Sequence, residues 1–335
     1  MCVAGDGMAA AVRARLSAMK IFRRSLAVAV LAAPAGAQSW PTRPLRLVAP
    51  YAPAGVTDQL ARAIAELLSQ ELRQPVLVEN RPGANAIIGT QAVVQAAPDG
   101  HTLLMASGAS MVVNPLLYPR LPYQPARDLT ALAVMVETPL VMAVPASLPA
   151  ANIADFVALA RTGQLNFASV GVGNPIHLAA ELFRMAAGVE LENVVYPGSA
   201  PALMSLMAGD VQVMFDVVLT ALPFIREGRL RALGVTTRER LAVLPDVPAI
   251  GESYPGYEAT TWFGVAAPRG LPPPVEARLR QALAAAQSDP GFRARFGGLG
   301  LVVQPPRGAE ALAALLEAES VRWGAVIRAR NIVLD

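Results

Sequence analysis

The apolar residues of this chain come in short runs, and beyond residue 37 none approaches the ~18–20 residues that a membrane-spanning helix requires. The runs are short and bounded by Pro, Gly, Asp or Asn, as in Leu45–Ala49 and Val211–Asp216. That is the pattern of strands buried on both faces of a sheet. Between them, apolar residues recur at helical spacing, for example Leu60, Ile64, Leu67, Leu68 and Leu72. Strand and helix therefore alternate, and alternation implies an α/β fold with mostly parallel pairing. The mean hydropathy of +0.41 is carried largely by Ala and Val and requires no bilayer.

The pattern predicts a strand at Leu45–Ala49, a loop to Val56, and a helix capped by Thr57 or Asp58. It then predicts a strand at Val76–Val78, a helix at Ile87–Ala97, and a strand at Thr102–Ala106 that Ser107-Gly108 leads out of. Leu129–Val144 reads as two strands broken at Glu137-Thr138-Pro139. The alternation restarts with helices at Ile153–Arg161, Pro175–Ala187, Ala200–Ala208 and Leu219–Glu227. Strands at Leu165–Ser169, Asn193–Tyr196, Val211–Asp216 and Leu230–Val235 separate them. Residues 238–261 have no clear period. Trp262–Ala267 is a strand, and Val275–Ala286 and Ala309–Ile327 are helices. In such βαβ units, ligands bind at the carboxyl ends of the strands.

The N-terminal segment stands apart. Lys20–Arg24 is positive, Ser25–Ala33 is apolar, and Ala35-Gly36-Ala37 is a small-residue cleavage site. Together they read as a secretory signal peptide cut after Ala37, with Met19 a better start than Met1. This leader holds five of the 28 basic residues and one of the 25 acidic ones. The remainder, with 23 against 24, lacks the basic excess that nucleic-acid binding asks for. Lys20 is the only lysine and Cys2 the only cysteine, both in the leader. The mature part therefore has no P-loop or Schiff-base lysine, no thiol nucleophile and no Cys-rich metal site. We expect no cofactor and no metal.

The stretch Asn166–Leu178 concentrates the functional signal. A short strand ends in Ser169, a turn follows through Gly171 and Gly173, and a helix opens with Asn174 at its cap and Pro175 at its first position. Backbone N–H groups and the positive end of the helix dipole suit a carboxylate or phosphate there; an ordinary βα turn has the same appearance. A dinucleotide fingerprint fails because Ile176 stands at the third glycine position. The Gly-x-Ser-x-Gly elbow fails because Phe167 stands at its first glycine. Asp58 reads either as a cap or as a ligand group. Asp216 reads either as a site residue closing its strand or as a cap for the next helix. Tyr196-Pro197-Gly198-Ser199 repeats the strand-then-turn pattern.

Taken in order, the segments Trp40–Leu47, Pro50–Asp58, Val78–Ala84, Ala97–Leu103, Asn114–Tyr118, Leu165–Ser169 with His177-Leu178-Ala179, Tyr196–Ala202, Val213–Asp216, Leu230–Thr236, Leu244–Pro248 and Gly256–Gly264 resemble the solute-binding proteins of tripartite tricarboxylate transporters, the Bug/TctC family. The resemblance covers essentially the whole chain after the leader. It implies a periplasmic, non-enzymatic, two-domain α/β binding protein of type II-like architecture, with a mostly parallel sheet in each domain and a two-segment hinge near Leu140–Val144 and Trp262–Ala267. Domain 1 would be residues 38–139 plus 263–335, and domain 2 residues 140–262. Carried over, the ligand residues are Tyr51, Ala54, Thr57, Asp58, Ser107, Gly108, Ser169, Gly173, Asn174, Pro175, Gly198, Ser199 and Asp216. The implied partners are a small organic acid and the membrane components of a transporter, with no nucleic acid. Some positions depart from the family pattern. Ala54 replaces a glycine, Asn85-Ala86 stands where glycines are common, and Asn174 stands where Ser or Thr is frequent. Pro197 replaces Lys or Arg, which favours a mono- or dicarboxylate over a tricarboxylate. A sensing module on the same fold, or a secreted enzyme using Ser169 or His177 with Asp216, are the rival readings.

Overall fold

In the computed structural model, residues 40–53 and 56–334 are described. The leader and Ala54 lie outside them. The chain divides into two units at Thr42/Arg43, and all elements below belong to the second, Arg43–Asp335.

In chain order the second unit runs β1 (Leu45–Ala49), α1 (Val56–Leu72), β2 (Val76–Asn80), α2 (Ile87–Val94) and β3 (Thr102–Ser107). A π-helical turn (Ala109–Val113) leads into α3 (Asn114–Leu117) and α4 (Pro125–Asp128), and then into the long strand β4 (Leu129–Pro145). Next come α5 (Ile153–Thr162), β5 (Asn166–Ser169), α6 (Pro175–Ala187), β6 (Glu192–Val195), α7 (Ser199–Ala208), β7 (Val213–Val217), α8 (Val218–Arg226) and β8 (Leu230–Val235). The chain closes with α9 (Ile250–Ser253), β9 (Thr260–Pro268), α10 (Pro273–Ser288), α11 (Pro290–Gly298), β10 (Val302–Val303) and α12 (Ala309–Ala329). Among the described residues no helix is long and apolar enough to cross a membrane.

The strand order is β2-β1-β3-β9-β4-β7-β5-β6, with β8 and β10 also paired to β4. The parallel pairing that alternation implies is present within the two βαβ parts, β2-β1-β3 and β6-β5-β7. Strands β4 and β9 run antiparallel to every neighbour, so each part is a mixed sheet. The expected break at Glu137–Pro139 is absent: β4 is one strand of 17 residues. Its first half pairs with β9 as far as Pro139↔Thr260, and its second half pairs with β7 from Leu140↔Val217. Pro139 thus stands where the ladder changes partner, a place that tolerates a missing donor.

Local signals explain the best-defined helices. Helix α6 starts at the Asn174 cap, whose side chain accepts the Ile176 N–H at 3.0 Å, and stops at Gly188 with φ 60°. Helix α11 escaped the pattern reading because its periodicity is weak, yet Asp289 caps it by accepting the Phe292 N–H at 2.7 Å. Helix α1 opens at Val56, so neither Thr57 nor Asp58 is its cap; both lie in its first turn. The core around β5 and β7 is aromatic. Phe183 packs on Phe215 with centroids 5.5 Å apart and on Phe156 at 6.3 Å, and all three are buried. Each such ring contributes about 1.5–3 kcal/mol by leaving water.

Candidate ligand site

The register places the carboxyl ends of both βαβ parts against one short piece of β4. Strand β3 ends at Ser107, which pairs with Phe263, and Phe263 in turn pairs with Val136 of β4. Strand β7 ends with Asp216 opposite Val141 and Val217 opposite Leu140. Strand β5 runs parallel to β7 and ends at Ser169. The strand ends of the two parts therefore approach residues 136–141 from opposite directions. That is where open α/β sheets place ligands.

On the β1–β3 side, the half-buried Tyr51 stands edge-on to Phe263, with centroids 5.8 Å apart, and shares a 2.6 Å hydrogen bond with the Ser107 hydroxyl. Burial pushes the Tyr51 phenol up to about 12, against a smaller opposing effect of the Ser107 hydrogen bond. It is therefore a neutral donor or acceptor at every physiological pH. Gly108 follows Ser107. A Cβ there would stand 3.3 Å from Trp262 Nε1 and 3.7 Å from Thr261 Oγ1, so only a residue without a side chain leaves that space open. Thr57 and Asp58 are both buried in the first turn of α1. The Asp58 carboxylate accepts from Asn80 Nδ2 at 2.9 Å and from Arg62 Nε at 3.0 Å. Asn80 also donates to the Tyr51 carbonyl at 3.2 Å, so it ties the Tyr51 loop to the start of α1. Sequence reasoning missed Asn80, although it closes β2 at the same carboxyl edge.

On the β5–β7 side, Gly171 and Gly173 both have positive φ, 127° and 76°. These are backbone shapes that strain a residue bearing a Cβ. The Gly173 N–H donates to His177 Nδ1 at 3.2 Å. The buried His177 ring therefore braces the turn from within. Burial holds its pKa below the usual histidine value, Glu181 opposes this, and Arg184 and Arg330 add to it. Asn174 and Pro175 open α6 as the sequence predicts. At the next turn Gly198 brings no capping side chain to α7. Ser199 instead donates its hydroxyl to Asp216 Oδ1 at 2.8 Å, and Thr220 of α8 donates to Asp216 Oδ2 at 2.7 Å. Asp216 is fully buried, and burial pushes its pKa up against those two hydroxyls and the Val217 amide. It thus ties two helix starts together at the end of its strand. Ser169 is fully buried and its hydroxyl has no hydrogen-bond partner.

The structure thus brings Tyr51, Ser107 and Gly108 together on one side, and Ser199 with Asp216 on the other. The Tyr196 N–H donates to the Ser169 carbonyl at 2.8 Å, which joins the β5 and β6 loops. Asn85 and Ala86, which stand where glycine is common, adopt φ 50° and 70°. The Asn85 side chain donates to Asn114 Oδ1 at 2.8 Å, which locks that loop. A separate cavity of about 450 Å³ is lined by Val172, His177, Glu181, Arg184 and Arg330, among others. Its two arginines are already answered by Glu181, at 2.7 and 2.5 Å, and by Glu190, so it offers an anion little net charge.

Residues 60–332 match the tripartite tricarboxylate transporter family receptor. A protein from the tcbD–tcbE intergenic region of Pseudomonas sp. strain P51 is 40% identical over 294 residues, which cover 86% of this chain and 87% of that protein. Protein BugT of Bordetella pertussis is 34% identical over 309 residues, 90% of this chain and 94% of its own. Among solved structures, a protein of R. palustris with adipate superposes with a TM-score of 0.76 at 34% identity, covering 86% of this chain and 97% of that one. MatC from Rhodopseudomonas palustris with bound malate gives a TM-score of 0.73 at 34% identity, covering 86% of this chain and all of that one.

Proposed function

The chain belongs to the tripartite tricarboxylate transporter receptor family, and from that premise we propose that it captures a small dicarboxylate at the junction of its two βαβ parts. The observation that carries this reading is the convergence of strand ends on residues 136–141 of β4. One side offers the neutral hydroxyls of Tyr51 and Ser107 and the open space at Gly108. The other offers the Ser169 hydroxyl and the Gly198-Ser199 start of α7, beside the Gly173-Asn174-Pro175 turn that opens α6, whose own N–H groups are engaged by His177 Nδ1 and the Gly171 carbonyl. A carboxylate is held well by N–H groups at helix starts and by hydroxyl donors, with no lysine. Relatives solved with adipate and with malate favour two carboxylates over three, as does Pro197 in place of a basic residue. In this reading Thr57 and Asp58 fix the α1 start, with Asp58 held by Asn80 and Arg62. Asp216 fixes the starts of α7 and α8.

The two parts act as domains, residues 38–139 plus 263–335 and residues 140–262, which close on the ligand. The closed form is preferred because only it lets the acid touch both faces. The protein is exported to the periplasm by its leader, transforms nothing, and delivers the acid to the membrane components of a tripartite transporter. A thermal-shift and calorimetric screen of succinate, glutarate, adipate, malate and citrate tests this. An acid at a hundred times its Kd should add about 2.7 kcal/mol of stability. No shift with any of the five would overturn it.

A further inference from the structure

Strand β4 has a short stretch that neither neighbouring sheet fully backs. Its last rung backed by β3 through β9 is Val136↔Phe263↔Ser107, and its first rung with β7 is Leu140↔Val217. Thr138 lies between, opposite Thr261 of β9. Paired residues share a face and alternate residues return to it. Thr138 and Thr261 therefore continue the face that carries Ser107, Phe263 and, through its ring contact, Tyr51. They extend it past the end of β3, beside the space that Gly108 leaves next to Thr261 Oγ1. Thr138 is only 3% exposed, and its hydroxyl has no hydrogen-bond partner. A buried hydroxyl left unmatched is unfavourable for the fold alone. Ser169, at the facing strand end, is the other site-edge hydroxyl in that state.

We propose that Thr138 is a ligand-contacting, specificity-determining residue whose hydroxyl donates a hydrogen bond to a carboxylate oxygen of the bound acid. This rests on the receptor reading above and adds a residue to it. The position discriminates by chemistry. A carboxylate accepts from the hydroxyl, whereas a methyl or methylene end leaves it unmatched. The site should therefore prefer acids with an anionic group at each end over monocarboxylates of equal length.

The test is titration calorimetry of the mature protein and two variants with succinate, glutarate, adipate, malate and, as the one-ended control, hexanoate. Thr138→Val keeps the branched shape and removes the donor. It should weaken the tightest dicarboxylate about 10- to 100-fold, the range for a hydrogen bond to a charged partner. It should also narrow the preference over hexanoate and leave the ligand-free melting temperature unchanged or higher. Thr138→Ser restores the donor and should bind within about threefold of the unchanged protein. If the unchanged protein binds a dicarboxylate and Thr138→Val binds it equally well, the assignment of Thr138 is overturned and the receptor reading stands. If the unchanged protein binds none of the acids, both fall together. Should Thr138→Val fail to fold, a Thr138→Ser variant that folds but binds more than about tenfold more weakly overturns the assignment.

Discussion

Gly173→Ala is the sharpest perturbation of the proposed ligand turn. Two effects add. The residue has φ 76°, and forcing a Cβ into the left-handed region costs roughly 1–2 kcal/mol. The new Cβ would also stand 2.3 Å from Leu117 Cδ1, 3.3 Å from Cδ2 and 3.4 Å from Cγ. Leu117 is fully buried at the end of α3, and its carbonyl accepts the Leu334 N–H at 2.9 Å, so its backbone is pinned. Overpacking of this kind costs about 1–3 kcal/mol. The sum is about 2–5 kcal/mol, a large share of the 5–15 kcal/mol by which domains are stable. Urea unfolding of Gly173→Ala, Leu117→Ala and the double variant separates the terms. In the Leu117→Ala background, Gly173→Ala should cost only the backbone part, leaving a coupling of about 1–3 kcal/mol. Equal costs in both backgrounds would refute the clash. A total cost under about 0.5 kcal/mol would refute the strained turn as well.

Three further outcomes follow from buried polar groups. His177 is held below its usual pKa, first by burial and then by Arg184 and Arg330, with Glu181 opposing. The native state therefore keeps it neutral while the unfolded chain protonates near pH 6.5. Its stabilising share is present above that pH and is lost as pH falls through the lower folded value. Relative to His177→Gln, the protein should lose stability from pH 7 to pH 5, and parallel curves would contradict this. Asp216→Ala removes the acceptor of the Ser199 and Thr220 hydroxyls. It should cost about 1–3 kcal/mol by urea unfolding and weaken dicarboxylate binding by calorimetry. Glu319 accepts the buried Trp262 indole N–H at 2.7 Å, and its pKa is raised first by burial. Above the ordinary glutamate range the carboxylate is penalised, so Glu319→Gln should match or exceed the unchanged protein in thermal stability at pH 7. Glu319→Ala, which leaves the indole unmatched, should lose about 1–3 kcal/mol.

Much of this fold is written in local patterns. Helix α6 was legible to the residue because Asn174, Pro175 and Gly188 each have one dominant use at a helix end. The strands ending in Ser107, Ser169 and Val217 were legible as bounded apolar runs. What the pattern hid was non-local. Pro139 looks like a strand breaker until β4 is seen to exchange β9 for β7 at that rung. The start of α1 was placed too late because Thr57 and Asp58 are good caps in isolation, whereas Asn80 and Arg62 claim Asp58 inside the first turn. The bond of His177 to the Gly173 amide could not be read from the sequence, because it depends on how the preceding turn folds back. Thr138 gave no signal, since its position is defined by where two other strands end.

A crystal structure of the mature protein with adipate or malate tests the account most directly. The acid should lie between the Tyr51–Ser107 pair and the Ser169, Gly173–Pro175 and Ser199 loops, across residues 136–141 of β4. An acid seated instead in the cavity between Arg184 and Arg330, with the strand ends unoccupied, would contradict it.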